Sequence, residues 1–124
     1  MGRLLIGLVA LAVSGFAADI TGTWTGPVAM VHGDNKRDDT AHFVLKQDGG
    51  KITGTVGPAN QEGHTITKGT VEGNDVYIEA AVDGENKIVL RLKLEGDKLT
   101  GSLKAEGPSA PPVTGTMTLT KKQS

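Results

Sequence analysis

Ile52-Thr53-Gly54-Thr55-Val56 is one copy of a short phrase, apolar–Thr–Gly–Thr/Ser–apolar, that recurs along this 124-residue chain. The period-two alternation of a strand places Ile52, Gly54 and Val56 on one face and the two threonines on the other. A glycine on the inward face lets a strand bend and a neighbouring strand approach closely. The phrase therefore predicts curled antiparallel strands, and its other copies are residues 20–24, 99–103, 113–117 and, with one extra residue, 66–71. The extra residue predicts a bulge at Lys68-Gly69.

Alternating apolar residues and turn signals divide the chain after residue 18 into strands, with no helical period. The clearest alternation places Ile88, Leu90, Leu92 and Leu94 on one face, and that of the fifth strand faces Val76, Ile78, Ala80 and Val82 inward. The side chains predicted to fill the core are Trp24, Phe43, Leu45, Ile52, Val56, Ile78, Leu90, Leu92, Leu103, Met117 and Leu119. We predict an all-β fold, an eight-stranded antiparallel up-and-down meander closed as a barrel, with a two-sheet sandwich as the alternative. The predicted strands are about residues 21–31, 41–47, 51–56, 64–72, 75–82, 87–95, 98–104 and 113–121.

The connections between these strands are of two kinds. Tight turns rich in Gly, Asn and Asp are predicted at residues 47–50, 72–75 and 95–98. Longer connections are predicted at residues 31–40, 57–63 and 105–112. Because successive connections of a meander alternate between its two ends, the long ones should share one end. We call that end the mouth and expect any functional site there.

The chain also contains a weak internal repeat. Ile52 and Leu99 are 47 positions apart, and so are Ile66 and Val113. This spacing indicates either a duplicated four-strand unit or the recurrence of a favourable strand–turn phrase.

The first 18 residues read as a cleaved N-terminal signal helix. Arg3 precedes an apolar run at residues 4–13, and small residues allow cleavage after Ala17 or Ala18. The run is shorter than the roughly 20 apolar residues that span a bilayer, and no later run is long enough. We therefore expect a bacterial export signal at residues 1–18, one β-barrel domain at residues 19–124, and a secreted or periplasmic protein with no membrane span after cleavage.

Composition narrows the classes of partner. The formal net charge of −1 lacks the basic excess of a nucleic-acid-binding protein. The chain has no cysteine, so neither a disulfide nor a thiol nucleophile is available. The serines after residue 18 lie outside any Gly-x-Ser-x-Gly turn. We therefore expect a non-enzymatic protein without a cofactor, whose partner is an unknown small molecule or protein.

The candidate ligand-binding residues are those that the predicted strands place at the mouth. His32 ends the first strand, Asp34 follows it, and His42 and His64 begin the second and fourth strands. Imidazoles and carboxylates can also hold zinc or copper, but no tight ligand spacing is present, so we predict no metal site. Two further hypotheses stay open: a structural or envelope-associated module with a filled core, and a hydrolase using rim carboxylates. Four glutamates lie in predicted loops or on outward faces, where they read as surface charge: Glu62, Glu79, Glu85 and Glu106.

Two motifs resemble those of known barrel families. Gly22-Thr23-Trp24 resembles the Gly-x-Trp start of lipocalins and avidins, and residues 48–55 resemble the second hairpin of avidin-type barrels. The lipocalin resemblance implies that Lys121 or Lys122 packs over Trp24. The avidin resemblance does not extend to biotin, because Thr25-Gly26-Pro27 replace the polar ureido-binding residues. The whole chain is similar to small exported bacterial β-barrel proteins with repeated Gly-Thr-Trp and Asp-Gly-x-Leu-Thr-Gly-Thr phrases, which implies a fold and a location.

Overall fold

The chain folds as a closed antiparallel β-barrel. A computed structural model describes residues 19–59, 61–110 and 112–122. Each strand pairs with the next and β8 pairs with β1, which closes the meander and confirms the predicted fold class. The strands are β1 (Gly22–His32), β2 (Asn35–Asp48), β3 (Lys51–Val56), β4 (His64–Glu72), β5 (Asp75–Asp83), β6 (Asn86–Glu95), β7 (Lys98–Glu106) and β8 (Val113–Lys121).

The described residues contain no helix of any kind. In this part of the chain, accordingly, no helix is long and apolar enough to cross a membrane. The predicted signal segment, residues 1–18, lies outside the described residues.

One predicted connection is wrong. Residues 31–40 do not form a long loop, because β2 begins at Asn35 and only Gly33 and Asp34 separate it from β1. The pairing of β1 with β2 continues to His32 and Asn35, and Gly33 takes the positive φ that a tight turn requires. Residues 35–38 are charged or polar and exposed, so hydrogen bonding to β1, without apolar burial, holds them in the strand. The other two long connections lie at the mouth as predicted, at residues 57–63 and 107–112. The second is shorter than the predicted 105–112, because β7 continues to Glu106.

The end of the barrel opposite the mouth is filled. Ile20, just before β1, is fully buried, and its carbonyl accepts a hydrogen bond from Trp24 Nε1 at 2.9 Å. Lys121 is the direct partner of Trp24 in β8, and its Cε would lie 2.7 Å from a Cβ added at Gly22. The Lys121 stem therefore packs beside the start of β1.

The inward face forms one apolar core. It contains the predicted core residues, of which only Leu103 is partly exposed. None of the buried residues in the described part of the chain is polar or charged. Val82 is an exception to the predicted alternation, since it is 42% exposed at the mouth end of β5. The fully or nearly fully buried predicted core residues are Trp24, Phe43, Leu45, Ile52, Val56, Ile78, Leu90, Leu92, Met117 and Leu119.

Inward glycines allow the backbones of adjacent strands to approach closely. A Cβ added at Gly54 would lie 1.9 Å from the carbonyl oxygen of Val44, and one at Gly101 would lie 2.1 Å from that of Arg91. Gly54 also has a φ of +130°, which other residues rarely adopt. In the ladder, Gly54 faces Leu45 and Gly101 faces Leu92. The Thr-Gly-Thr/Ser phrase therefore provides the close approach that the sequence predicted.

The two halves of the barrel are alike in part. The Leu45–Gly54 pair of the β2–β3 hairpin recurs 47 residues later as the Leu92–Gly101 pair of β6–β7. The likeness ends at the next strand, because β4 carries a bulge between Ile66 and Lys68. This bulge, one residue earlier than the predicted Lys68-Gly69 position, leaves Thr67 and Lys68 both exposed while Ile66 and Gly69 remain buried.

We expect Gly54→Ala to destabilise the barrel by about 3 kcal/mol or more, because it combines a backbone clash with an unfavourable φ. Gly49→Ala is the matched control, since Gly49 also has a positive φ (+65°) but has nothing within 4 Å of an added Cβ. The control should cost about 1 kcal/mol. Urea unfolding followed by Trp24 fluorescence measures both, and equal losses would contradict the role given to the close approach.

Candidate functional site

A cavity occupies the mouth half of the barrel. Its volume is about 450 Å³, and it opens between the connections at that end. Phe43, Leu90 and Met117, all buried, form its inner part. The barrel is therefore filled at one end and hollow at the other. The sequence alone did not distinguish a filled core from a cavity. The remaining apolar lining consists of Val28, Met30, Ala41, Val56, Pro58, Val82, Ile88, Leu103, Ala105, Ala110 and Val113.

The first of the two long connections is hydrogen-bonded to the barrel wall. In residues 57–63, the Gly57 carbonyl accepts a hydrogen bond from His42 N, and Ala59 N donates to the Thr40 carbonyl, both at 2.8 Å. Pro58 forms an isolated bridge with Ala41. This connection thus continues the sheet beside β2 after β3 has ended, and it places Gly57 and Pro58 at the cavity.

The second long connection is held by a reciprocal pair of hydrogen bonds. Asn86 Nδ2 donates to Ser109 Oγ at 3.0 Å, and Ser109 N donates to Asn86 Oδ1 at 3.2 Å. Gly107 approaches the same residue so closely that an added Cβ would lie 2.3 Å from Asn86 Oδ1. Both long connections are therefore fixed to neighbouring strands, and the cavity is formed before any ligand arrives.

Few polar side chains of the described residues reach the cavity. They are Asp39, His64, Asn86, Lys87 and Ser109. Asn86 and Ser109 bond to each other, and Lys87 Nζ lies 3.1 Å from Glu79 Oε1 on the outer wall. The side chains of the other two, Asp39 and His64, take part in neither of these pairs.

The structure separates the four residues predicted to form the rim site. His64 lines the cavity, as expected. His32 and Asp34 are exposed at the β1–β2 turn, and neither belongs to the cavity lining. His42 lies between the buried residues Ala41 and Phe43 and so faces outward. Among the described residues, no three His, Asp or Glu side chains are placed to hold a metal ion.

Sequence reasoning missed Asp39 as a lining residue. The predicted loop at residues 31–40 contains Asp39, whereas β2 extends through it and continues the inward series of Ala41 and Phe43. The alternation of Asp39 with those two residues is a signal that was present in the sequence. Asn86 and Ser109 carried no comparable signal, because their meeting depends on barrel closure.

Carboxylates that a hydrolase would need do not converge in the cavity. Glu62 and Glu85 are exposed in connections, and Glu79 points away from the barrel interior. Within the described residues, Asp39 is the one carboxylate of the cavity lining. A general acid and base from paired carboxylates therefore has no second member there.

A hydrogen-bonded cluster covers the outer face of β5 and β6. Tyr77 Oη donates to Glu79, whose other oxygen accepts from Lys87, and the Arg91 guanidinium lies 5.3 Å from the centre of the Tyr77 ring. Val89 also faces outward in this region yet is only 2% exposed. The cluster therefore joins two neighbouring strands on a face that is otherwise solvated.

The cluster changes the protonation of two of its members. The hydrogen bond from Tyr77, followed by that from Lys87, lowers the pKa of Glu79 from its ordinary value of 4.5. The same bond to Glu79, followed by burial, raises the pKa of Tyr77 above its ordinary value of 10.0. Glu79 thus acts as an anionic acceptor between a neutral phenol and an ammonium at neutral pH.

We expect the barrel to lose stability as pH falls through the lowered pKa of Glu79. A carboxyl with a depressed pKa stabilises the fold fully above its unfolded value, here near 4.5, and loses that contribution below it. Tyr77 has the opposite sense, so its contribution is full below 10.0 and is lost at higher pH. Thermal unfolding measured from pH 3 to pH 8 should show a smaller acid-dependent fall in Glu79→Gln than in the wild type, with Glu85→Gln as the exposed control.

These features define a small, closed, eight-stranded β-barrel with an apolar cavity at one end. No family model matches the chain, and no curated protein matches it. Among solved structures, the chain is similar to the crystal structure of Rv2717c from M. tuberculosis, with a TM-score of 0.47 and 12% sequence identity. The similarity covers 91% of this chain and 96% of that one.

Proposed function

We propose that this protein binds a small, largely apolar molecule in the mouth cavity without chemically transforming it. The observation that supports the proposal is the cavity itself, about 450 Å³ of space lined mainly by apolar side chains in an otherwise packed barrel. Its volume lies within the roughly 300–1,000 Å³ of typical ligand pockets. The second hypothesis, a structural module with a filled core, does not account for a cavity of this size.

The cavity lining indicates how a ligand would gain affinity. Transfer of apolar surface out of water contributes roughly 25 cal/mol per Å². The two connections that border the cavity are already hydrogen-bonded to strands, so little loop ordering opposes binding. A rigid apolar ligand small enough to pass the connections would benefit most from this arrangement.

The proposal includes export. The support is the basic–apolar–small pattern of residues 1–18, which is typical of export signals and favours a location in the periplasm or outside the cell. Sequencing the amino terminus of the protein purified from its source tests this part separately. A mature chain beginning at Ala18 or Asp19 is expected, and an intact residue 1–18 segment would contradict it.

Binding can be tested with N-phenyl-1-naphthylamine, an apolar dye that fluoresces when it leaves water. The wild-type protein should bind the dye saturably at one site. Leu103→Trp places a large ring in the cavity and should weaken binding about tenfold or more, a loss of about 1.4 kcal/mol. Val44→Trp is the matched control, because Val44 is 44% exposed on the outer face and should leave binding unchanged.

Two outcomes would contradict the proposal. One is the absence of saturable dye binding to the folded wild type. The other is equal affinity in the two tryptophan variants after thermal unfolding has shown that both are folded. Dye excited at its own absorption band avoids interference from the added tryptophans.

A further inference from the structure

The mainly apolar lining of the mouth cavity includes one acidic side chain. Asp39 is the one carboxylate among its described lining residues, and its side chain is only 20% exposed. It lies on the inward face of β2, in series with Ala41 and Phe43. A carboxylate in this position is held in the cavity by strand pairing, since Asp39 is the direct partner of Val28 in β1.

The contacts of Asp39 leave it able to accept further hydrogen bonds. Oδ1 accepts a hydrogen bond from the adjacent Thr40 N at 2.9 Å, and Oδ2 lies 3.6 Å from Arg37 Nη2. An ionised carboxylate has about four acceptor positions, so most of them remain open. Arg37 is 71% exposed, and an ion pair at that distance and exposure is weak because water screens it.

The lysine of the cavity lining has its charge paired outside the cavity. Lys87 lines the cavity, but its Nζ is bonded to Glu79 Oε1 at 3.1 Å on the outer wall. The lysine therefore presents its aliphatic stem to the cavity while its charge is paired outside. The cavity thus combines an apolar interior with a carboxylate that its own lining does not neutralise.

We propose that the ligand of the mouth cavity is an apolar amine, whose protonated nitrogen binds Asp39 while its apolar body contacts Phe43, Leu90 and Met117. This inference rests on the proposed function and adds the chemical class of the ligand. Hydrogen bonds between an ammonium and a carboxylate are about twice as strong as neutral ones, and partial burial reduces their screening. Charge complementarity therefore selects an amine over an alcohol or a carboxylate of the same chain length.

The test compares decylamine, decanol and decanoate, each below its micelle concentration, as competitors of N-phenyl-1-naphthylamine at pH 7 and low salt. An alkylamine, like the lysine side chain, is protonated at this pH. The wild type should prefer decylamine over decanol by about tenfold, and decanoate should compete least. Raising the salt concentration should reduce the preference without changing the affinity for decanol.

Three variants assign the preference to one residue. Asp39→Asn should abolish the preference for decylamine over decanol, with thermal unfolding showing that the variant is folded. Asp38→Asn, at an exposed neighbouring position on the opposite face of β2, should retain it. Arg37→Gln removes the one cation paired with Asp39 and should increase the preference.

The outcomes separate this inference from the function on which it rests. If the dye binds but the three competitors are equivalent, or decanoate is preferred, or Asp39→Asn keeps the wild-type preference, the amine is excluded and the apolar cavity remains a binding site. If the dye does not bind the folded wild type at all, both proposals fail.

Discussion

The close approach of adjacent backbones at inward glycines is the constraint on which the barrel depends. At Gly54 and Gly101, and also at Gly26 and Gly69, a Cβ would meet the carbonyl oxygen of the next strand at 2.5 Å or less. Gly54 and Gly101 are paired directly with large core residues, Leu45 and Leu92. The missing side chain on one strand makes room for the large one beside it, and the sheet can curl tightly enough for β8 to reach β1.

Side-chain size along the inward faces then decides where the barrel is filled. On β2 the inward residues decrease from Leu45 and Phe43 to Ala41 and Asp39 as the strand approaches the mouth. On β7 they pass from Leu99 to Ala105. At the other end Trp24 and Ile20 occupy the space and bond to each other. A single closed sheet thus yields a packed half and a hollow half, and the hollow half is where the polar lining residues lie.

The sequence allowed prediction of the strands and of the end that carries the site, because alternation and turn chemistry are local properties. It did not reveal the true start of β2, since residues 35–38 have no apolar alternation and are held only by pairing with β1. Because the predicted start of β2 is too late, the sequence did not indicate that Asp39 lies on the inward face. His42 was predicted to lie at the mouth site, whereas it faces outward. Of the predicted site residues only His64 reached the cavity. The contact of Asn86 with Ser109 joins elements 23 residues apart and depends on the closed register, which no local pattern encodes.

The extension of β2 beyond its neighbour has a consequence for self-association. Closure of a barrel removes the free sheet edges at which protein chains aggregate, but among the described residues only β1 pairs with residues 35–39. Four of these five residues are charged, with both signs present. A second molecule adding its own strand there would have to bring these charges out of water and match their order. The polar composition of residues 35–39 resembles that of a loop, which is why the sequence did not predict a strand there. The same composition opposes pairing of this strand's other backbone edge with a second molecule.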